Sequence, residues 1–219
     1  SGSGLSAGQK QRAGKVLESL WTAESRVHGE ARESLELEEL GTVDTLVDVV
    51  VVAIGLEYFG VEKIFASPLV LGAAEPPRWP GGYPNPAPAT LELTAMASAK
   101  VSADNPMYQG AGELTTPTGA ALITSLAEFE RPSFTVSAVG VGLGTKDPEH
   151  FPNILRIWLG DMDAPAAANG ASPFARDGDR RVGRIDSHPE ATGALAGNRE
   201  PQSPTRPQLG GALRDRVRA

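Results

Sequence analysis

From Ser6 onward, apolar residues recur at helical spacing, at Ala13, Val16, Leu17, Leu20, Trp21 and Val27, with Glu24 a polar exception on the same stripe. Ser6 followed three residues later by Gln9 forms a capping-box start, and Gly29 after His28 supplies a C-cap. The next stretch, from Thr42 to Phe59 and closed by Gly60, is apolar on nearly every side, which predicts a central, buried helix. Its β-branched valines leave a buried strand from Leu46 to Ala53 as the competing reading. "KIFASPLVLG" reads as a strand, and "AAEPPRWPGGYPNPAPA" after it is too rich in Pro and Gly for regular structure. Pro88 near a first turn predicts a helix from Ala89 to Ser98, and Thr116 as cap with Pro117 behind it predicts another. "FTVSAVGVGLG" and "NILRIWLGD" alternate as strands. Helices and strands interleave, so the predicted class is α/β, with one domain over residues 1–161.

Beyond Met162 the pattern dissolves into Ala, Gly, Pro, Arg and Asp, with Phe174 as the sole aromatic. Such a segment buries too little apolar area to offset its ordering entropy, so residues 162–219 are expected to be disordered, with at most a short helix from Ala212 to Arg218.

Composition narrows the chemistry. A formal charge of −7 argues against a nucleic-acid partner held through phosphates. The absence of cysteine excludes disulfides, zinc ribbons and thiol catalysis. "SGSGLSAGQKQ" has no apolar signal core, and the longest aliphatic run, Val49 to Leu56, is too short to span a bilayer. The expectation is a soluble, cytoplasmic protein without a membrane partner.

Three motifs carry candidate chemistry. In "LELEELGTVDTLVDVV", Asp44 and Asp48 lie four apart and share a helix face. They either hold a cation or complement the positive end of the helix dipole. Glu36, Glu38 and Glu39 just before them read as a solvated loop or strand edge, or as further ligands. "GELTTPTGAA" brings threonine hydroxyls to a helix N-terminus, which is an anion site or an ordinary Thr-Pro cap. "GVGLGT", Gly140 to Thr145, follows a strand and is a phosphate loop or a plain turn. His28, His150 and His188 are scattered and suggest neither metal ligation nor a triad. "RWPGGY" reads as a binding lip or a packed loop.

Taken in order, six blocks resemble one family: "AESRVHG", "GTVDTLVDVVVVAIGLEYFGVEKIFASPLVLG", "PNPAPATLEL", "GELTTPTGAALITSLA", "VGVGLGTKD" and "PNILRIWLG". Together they are similar to the N-terminal half of LarC, which inserts nickel into the pincer cofactor of lactate racemase. The resemblance implies a nickel chelatase, a metal-inserting lyase. Its substrate is pyridinium-3,5-bisthiocarboxylic acid mononucleotide, and it uses CTP with Mn²⁺ or Mg²⁺. It matches Asp44 and Asp48 to the family's paired aspartates, with Glu39 retained beside them. It matches Thr116, Thr118 and Gly119 to the Thr-Pro-Thr-Gly turn, and Gly142, Gly144 and Thr145 to the glycine loop. Glu36 and Glu38 stand where the family has histidines, and Pro80 where it has another. Ni²⁺ prefers imidazole, so these carboxylates suit Mg²⁺ or Mn²⁺ better. The family's first, Gly- and Asp-rich segment is expected to lie upstream of this chain, and a separate C-terminal LarC-type domain is an expected partner. The competing expectations are a non-catalytic scaffold remnant and a Mg²⁺- or Mn²⁺-dependent phosphate-ligand binding module.

Overall fold

The capping box at Ser6 forms as expected. Its hydroxyl accepts from the Gln9 N–H at 3.1 Å and the Gln9 side chain answers to the Ser6 N–H at 3.0 Å, so α1 runs Ala7–His28. Gly29, at φ 68°, closes it in the left-handed conformation that glycine adopts without a Cβ penalty. The computed structural model describes residues 4–35, 41–77, 80, 82–103, 106–162 and 181–186. The expected helix from Ala212 to Arg218 lies outside them.

The long aliphatic segment is helix α2, Val43–Tyr58, with Thr42 at its N-cap position, and the strand alternative does not occur. Its expected central position is not observed either. Only Thr45, Val49 and Ala53 of α2 are buried. The central element is α1, which touches α2, α3 (Pro88–Met96) and α4 (Pro117–Leu126). Ala13, Val16, Leu20 and Ala23 of α1 meet Val49 and Ala53 of α2, Leu93 of α3, and Ala120 and Ala121 of α4. Small alanines let the helices approach, and each fully buried Val or Leu contributes about 1.5–3 kcal/mol. Glu57 ties the ends of α1 and α2 together, accepting from Ser6 Oγ at 2.7 Å and Gln9 Nε2 at 3.0 Å.

"KIFASPLVLG" is not one strand. Ser67 and Pro68 interrupt it, leaving β1 (Val61–Ala66) and β2 (Leu69–Gly72) in different sheets, since Pro has no N–H to offer a ladder. β2 pairs in parallel with β3 (Val101–Ala103). The larger sheet has the order β1-β6-β5-β4, with β4 spanning Phe134–Leu143, β5 Ile154–Met162 and β6 Arg181–Asp186. β6 is parallel to β1 and antiparallel to β5. Residues 181–186 therefore correct the expectation of disorder from residue 162 onward: backbone pairing on both sides supplies what their composition does not. Helices and strands interleave along the chain, as the α/β reading anticipates. Among the described residues, no helix is long and apolar enough to cross a membrane.

Candidate functional site

The start of α4 is built by threonines with distinct tasks. Thr115 Oγ1 donates to the Val70 carbonyl at 2.6 Å and fixes the lead-in to β2. Thr116 accepts from the Gly119 N–H at 3.1 Å as the N-cap. Pro117 has no N–H, so Thr118 is left as the first-turn residue whose amide is neither absent nor capped. The anion-binding capacity at this helix start is therefore narrower than the motif suggests, and it centres on Thr118, which is itself buried.

Across from α4 lies a cavity of about 1060 Å³. Asp44, Thr45 and Asp48 enter it from α2, and Thr116 and Thr118 from α4. The C-terminal end of α1 contributes Glu24 and His28, and the Pro-rich loop contributes Glu75, Tyr83 and Asn85. Glu113 and Lys146 complete the wall that matters electrostatically. The proline-rich loop is held against this wall by a close approach. Gly72 has φ 86°, and a Cβ there would stand 2.2 Å from the Gly112 carbonyl oxygen, so only glycine fits. Gly112 N–H in turn donates to Glu75 Oε1 at 3.3 Å.

The cavity is acidic. Among the described residues, Glu24, Glu30, Asp44, Asp48, Glu75 and Glu113 line it against one lysine and one histidine. Burial holds the Glu113 carboxyl above the ordinary carboxylate range, and the Lys146 ammonium pulls it partly back. Lys146 also donates to the Glu113 carbonyl at 2.6 Å. Glu24 is 7% exposed, and its Oε2 lies 3.4 Å from His28 Nε2, one helical turn on. Asn85 donates to the Ala73 carbonyl, while its buried Oδ1 has no hydrogen-bond partner among the described residues. Among the described residues, no group of three or more His, Asp or Glu side chains is drawn close enough to hold a metal ion.

A second cavity, of about 560 Å³, shares Asp48 and Thr116 with the first and is also lined by Gly142 and Gly144. The glycines are not a free loop. Gly140 and Gly142 are ladder residues opposite Ile157 and Leu155, and the Gly144 N–H donates to the Asn153 carbonyl at 2.9 Å. A Cβ on Gly144 would meet Asn153 Nδ2 at 2.1 Å, so this glycine serves hairpin packing. That corrects the reading of "GVGLGT" as a free loop: Gly140 to Leu143 belong to β4, which pairs on one side with β5.

Of the residues singled out from the sequence, Asp44, Asp48, Thr116 and Thr118 meet at the first cavity, and Gly142 and Gly144 at the second. Gly119 and Thr145 line neither. Glu36, Glu38 and Glu39 lie outside the described residues, as does Trp79 of the aromatic loop. His28, set aside on spacing, belongs to the cavity, and the signal for it was Glu24, the one carboxylate on an otherwise apolar stripe. Glu75, Glu113 and Lys146 carried no sequence signal.

The nickel insertion protein family model matches residues 1–184 of the chain. This chain belongs to that family. Its relatives include proteins named for nickel insertion from Roseiflexus castenholzii (44% identical over 161 residues) and Geobacter metallireducens (39% over 161 residues). A third, from Thermomicrobium roseum, is 44% identical over 164 residues. These matches cover 73–75% of this chain but only 39–40% of the relatives, so the chain spans about two-fifths of their length. No solved structure gives a significant match. The LarC resemblance thus stands as family membership, and nickel as the family's metal.

Proposed function

We propose that the acidic cavity is where this nickel insertion family member takes Ni²⁺ as cargo on its way to a pyridinium mononucleotide acceptor. The supporting observation is convergence: Asp44 and Asp48, the Glu24–His28 pair and the Thr116–Thr118 helix start wall one cavity although they are far apart in sequence. Asp44 and Asp48 supply anionic oxygen, and His28 supplies the imidazole that nickel favours. Glu24, whose Oε2 lies 3.4 Å from the ring Nε2, would fix its orientation and raise its basicity. Glu36, Glu38 and Glu39 are the further ligands of this proposal, and Thr118 with Thr116 and Gly119 the seat for the phosphate of the acceptor or of CTP. Gly142 and Gly144 stand at the neighbouring cavity as shaping rather than phosphate-holding positions, with Thr145 following them in sequence. The acceptor is the bisthiocarboxylic acid mononucleotide, CTP is the co-substrate, and a C-terminal LarC-type region is the partner that completes the reaction.

A second reading rests on the donor set itself. Among the described residues, six carboxylates against one imidazole, in a chain without cysteine, favour a hard cation, Mn²⁺ or Mg²⁺, bound together with a phosphate ligand. Calorimetric titration of each metal into the chain separates the two readings. Nickel bound tighter than about 1 μM, roughly −8 kcal/mol, and lost in Asp44→Asn/Asp48→Asn, supports nickel capture. Mn²⁺ binding alone supports the second reading. Binding of neither would leave a non-catalytic scaffold. Substituting Glu36→His, Glu38→His and Pro80→His raises nickel affinity if those positions belong to the site.

A further inference from the structure

The outer face of α2 is not accounted for by the cavity. Val43 (74% exposed), Leu46 (50%), Val47 (50%), Val51 (59%), Ile54 (40%) and Tyr58 (81%) all stand toward solvent. At about 100° per residue they occupy one arc roughly 140° wide, along a helix about 24 Å long. Half-buried Val50 lies in its middle. The charged residue at its edge, Glu57, is engaged by Ser6 and Gln9. Asp44 and Asp48 lie beyond the other edge, on the cavity side.

We infer that this stripe is a self-association surface through which two copies of the chain pair. The order of its residues carries the argument. Measured from the midpoint between Val50 and Val51, Val43 is as far in one direction as Tyr58 in the other, and Val47 as far as Ile54. An antiparallel two-fold contact centred there sets Val43 against the partner copy's Tyr58, Val47 against Ile54, and Val50 against Val51. That self-matching is what an isologous interface requires. It sets the smallest exposed side chain of the ends against the largest, and Asp44 comes level with the partner copy's Glu57 only on opposite flanks of the seam.

Area agrees. Six side chains at these exposures present on the order of 700 Å² per copy, beyond the roughly 300–600 Å² of the largest patch on a typical monomer and near the ~800 Å² per partner of a standard interface. The axis lies in the contact plane, so Asp44 and Asp48 of both copies fall on the same flank. Pairing would leave the two acidic cavities accessible side by side.

Sedimentation velocity of the 219-residue chain over about 1 to 100 μM tests this directly. The expected result is a concentration-dependent dimer, at least tenfold weaker in Val47→Asp, with circular dichroism confirming that the variant folds. Because the chain has no cysteine, single thiols report position cleanly. Val51→Cys is expected to cross-link between copies with a short bis-maleimide, and exposed Glu62→Cys on β1 is not. A monomer throughout the range overturns the inference. So does a dimer indifferent to Val47→Asp, cross-linking at Glu62→Cys as fast as at Val51→Cys, or a monomer whose Val51→Cys thiol is shielded, which would assign the face to another part of the same polypeptide.

Discussion

Helices α1 and α2 invert what their compositions suggest. α1 carries Lys10, Arg12, Lys15, Glu18, Glu24 and Arg26, yet it is the axis around which the other three helices pack. α2 is almost wholly aliphatic, yet it lies at the periphery with three residues buried. Centrality follows from small residues in the right places. Ala13 and Ala23 bring backbones close around Val16 and Leu20, whereas the β-branched and bulky surface of α2 has more apolar area than the fold uses. Apolar content says that a face will be covered, and packing geometry decides by what.

That contrast can be broken or sharpened by substitution. The largest effect is expected in α1: Leu20→Ala, at a site 2% exposed, should cost about 2–5 kcal/mol, read as a lowered denaturation midpoint with the slope unchanged. Thr116→Ala removes the side-chain cap of α4 and should cost about 1 kcal/mol by the same measurement. On α2, Val43→Ser should change the stability of the dilute chain by no more than about 0.5 kcal/mol despite removing an aliphatic side chain. A loss comparable to that at Leu20 would show that α2 is as central as its sequence suggested.

The smallest effect is pH-dependent and belongs to the cavity. Glu113 has a raised folded-state pKa, so the protonated form is favoured by folding. Its contribution is fully present below the ordinary carboxylate pKa of 4.5 and is lost as pH rises through the raised value. Glu113→Gln should therefore be more stable than the parent at neutral pH, with the difference shrinking as pH falls toward that value. Urea titrations at several pH values read it, and a difference that grows on acidification would contradict the assignment.

Local signals were legible in the sequence wherever one residue decides the backbone. The Ser6–Gln9 box, Gly29, Pro88 and the Thr116–Pro117 start all fall where expected. What depended on partners distant in sequence was not legible. β6 exists because β1 and β5 flank it, and the glycine repeat is a strand because β5 pairs with it. The same holds for the site. Asp44, Asp48, Thr116 and Thr118 were visible as motifs, while Glu75, Glu113 and Lys146 become neighbours only after Gly72 lets β2 approach Gly112. His28 lines the cavity, a position that its spacing along the chain does not show.

We propose that the aspartate pair and the threonine helix start form one site. The most direct test is CTP binding in the presence of Mn²⁺, measured by calorimetry for the parent chain, Asp48→Asn, Thr118→Val and the double variant. One shared site predicts that each single change weakens binding at least tenfold, about 1.4 kcal/mol, and that the double change costs less than the two together. Unchanged binding in Asp48→Asn or in Thr118→Val would mean that the carboxylates and the threonines do not act on one ligand.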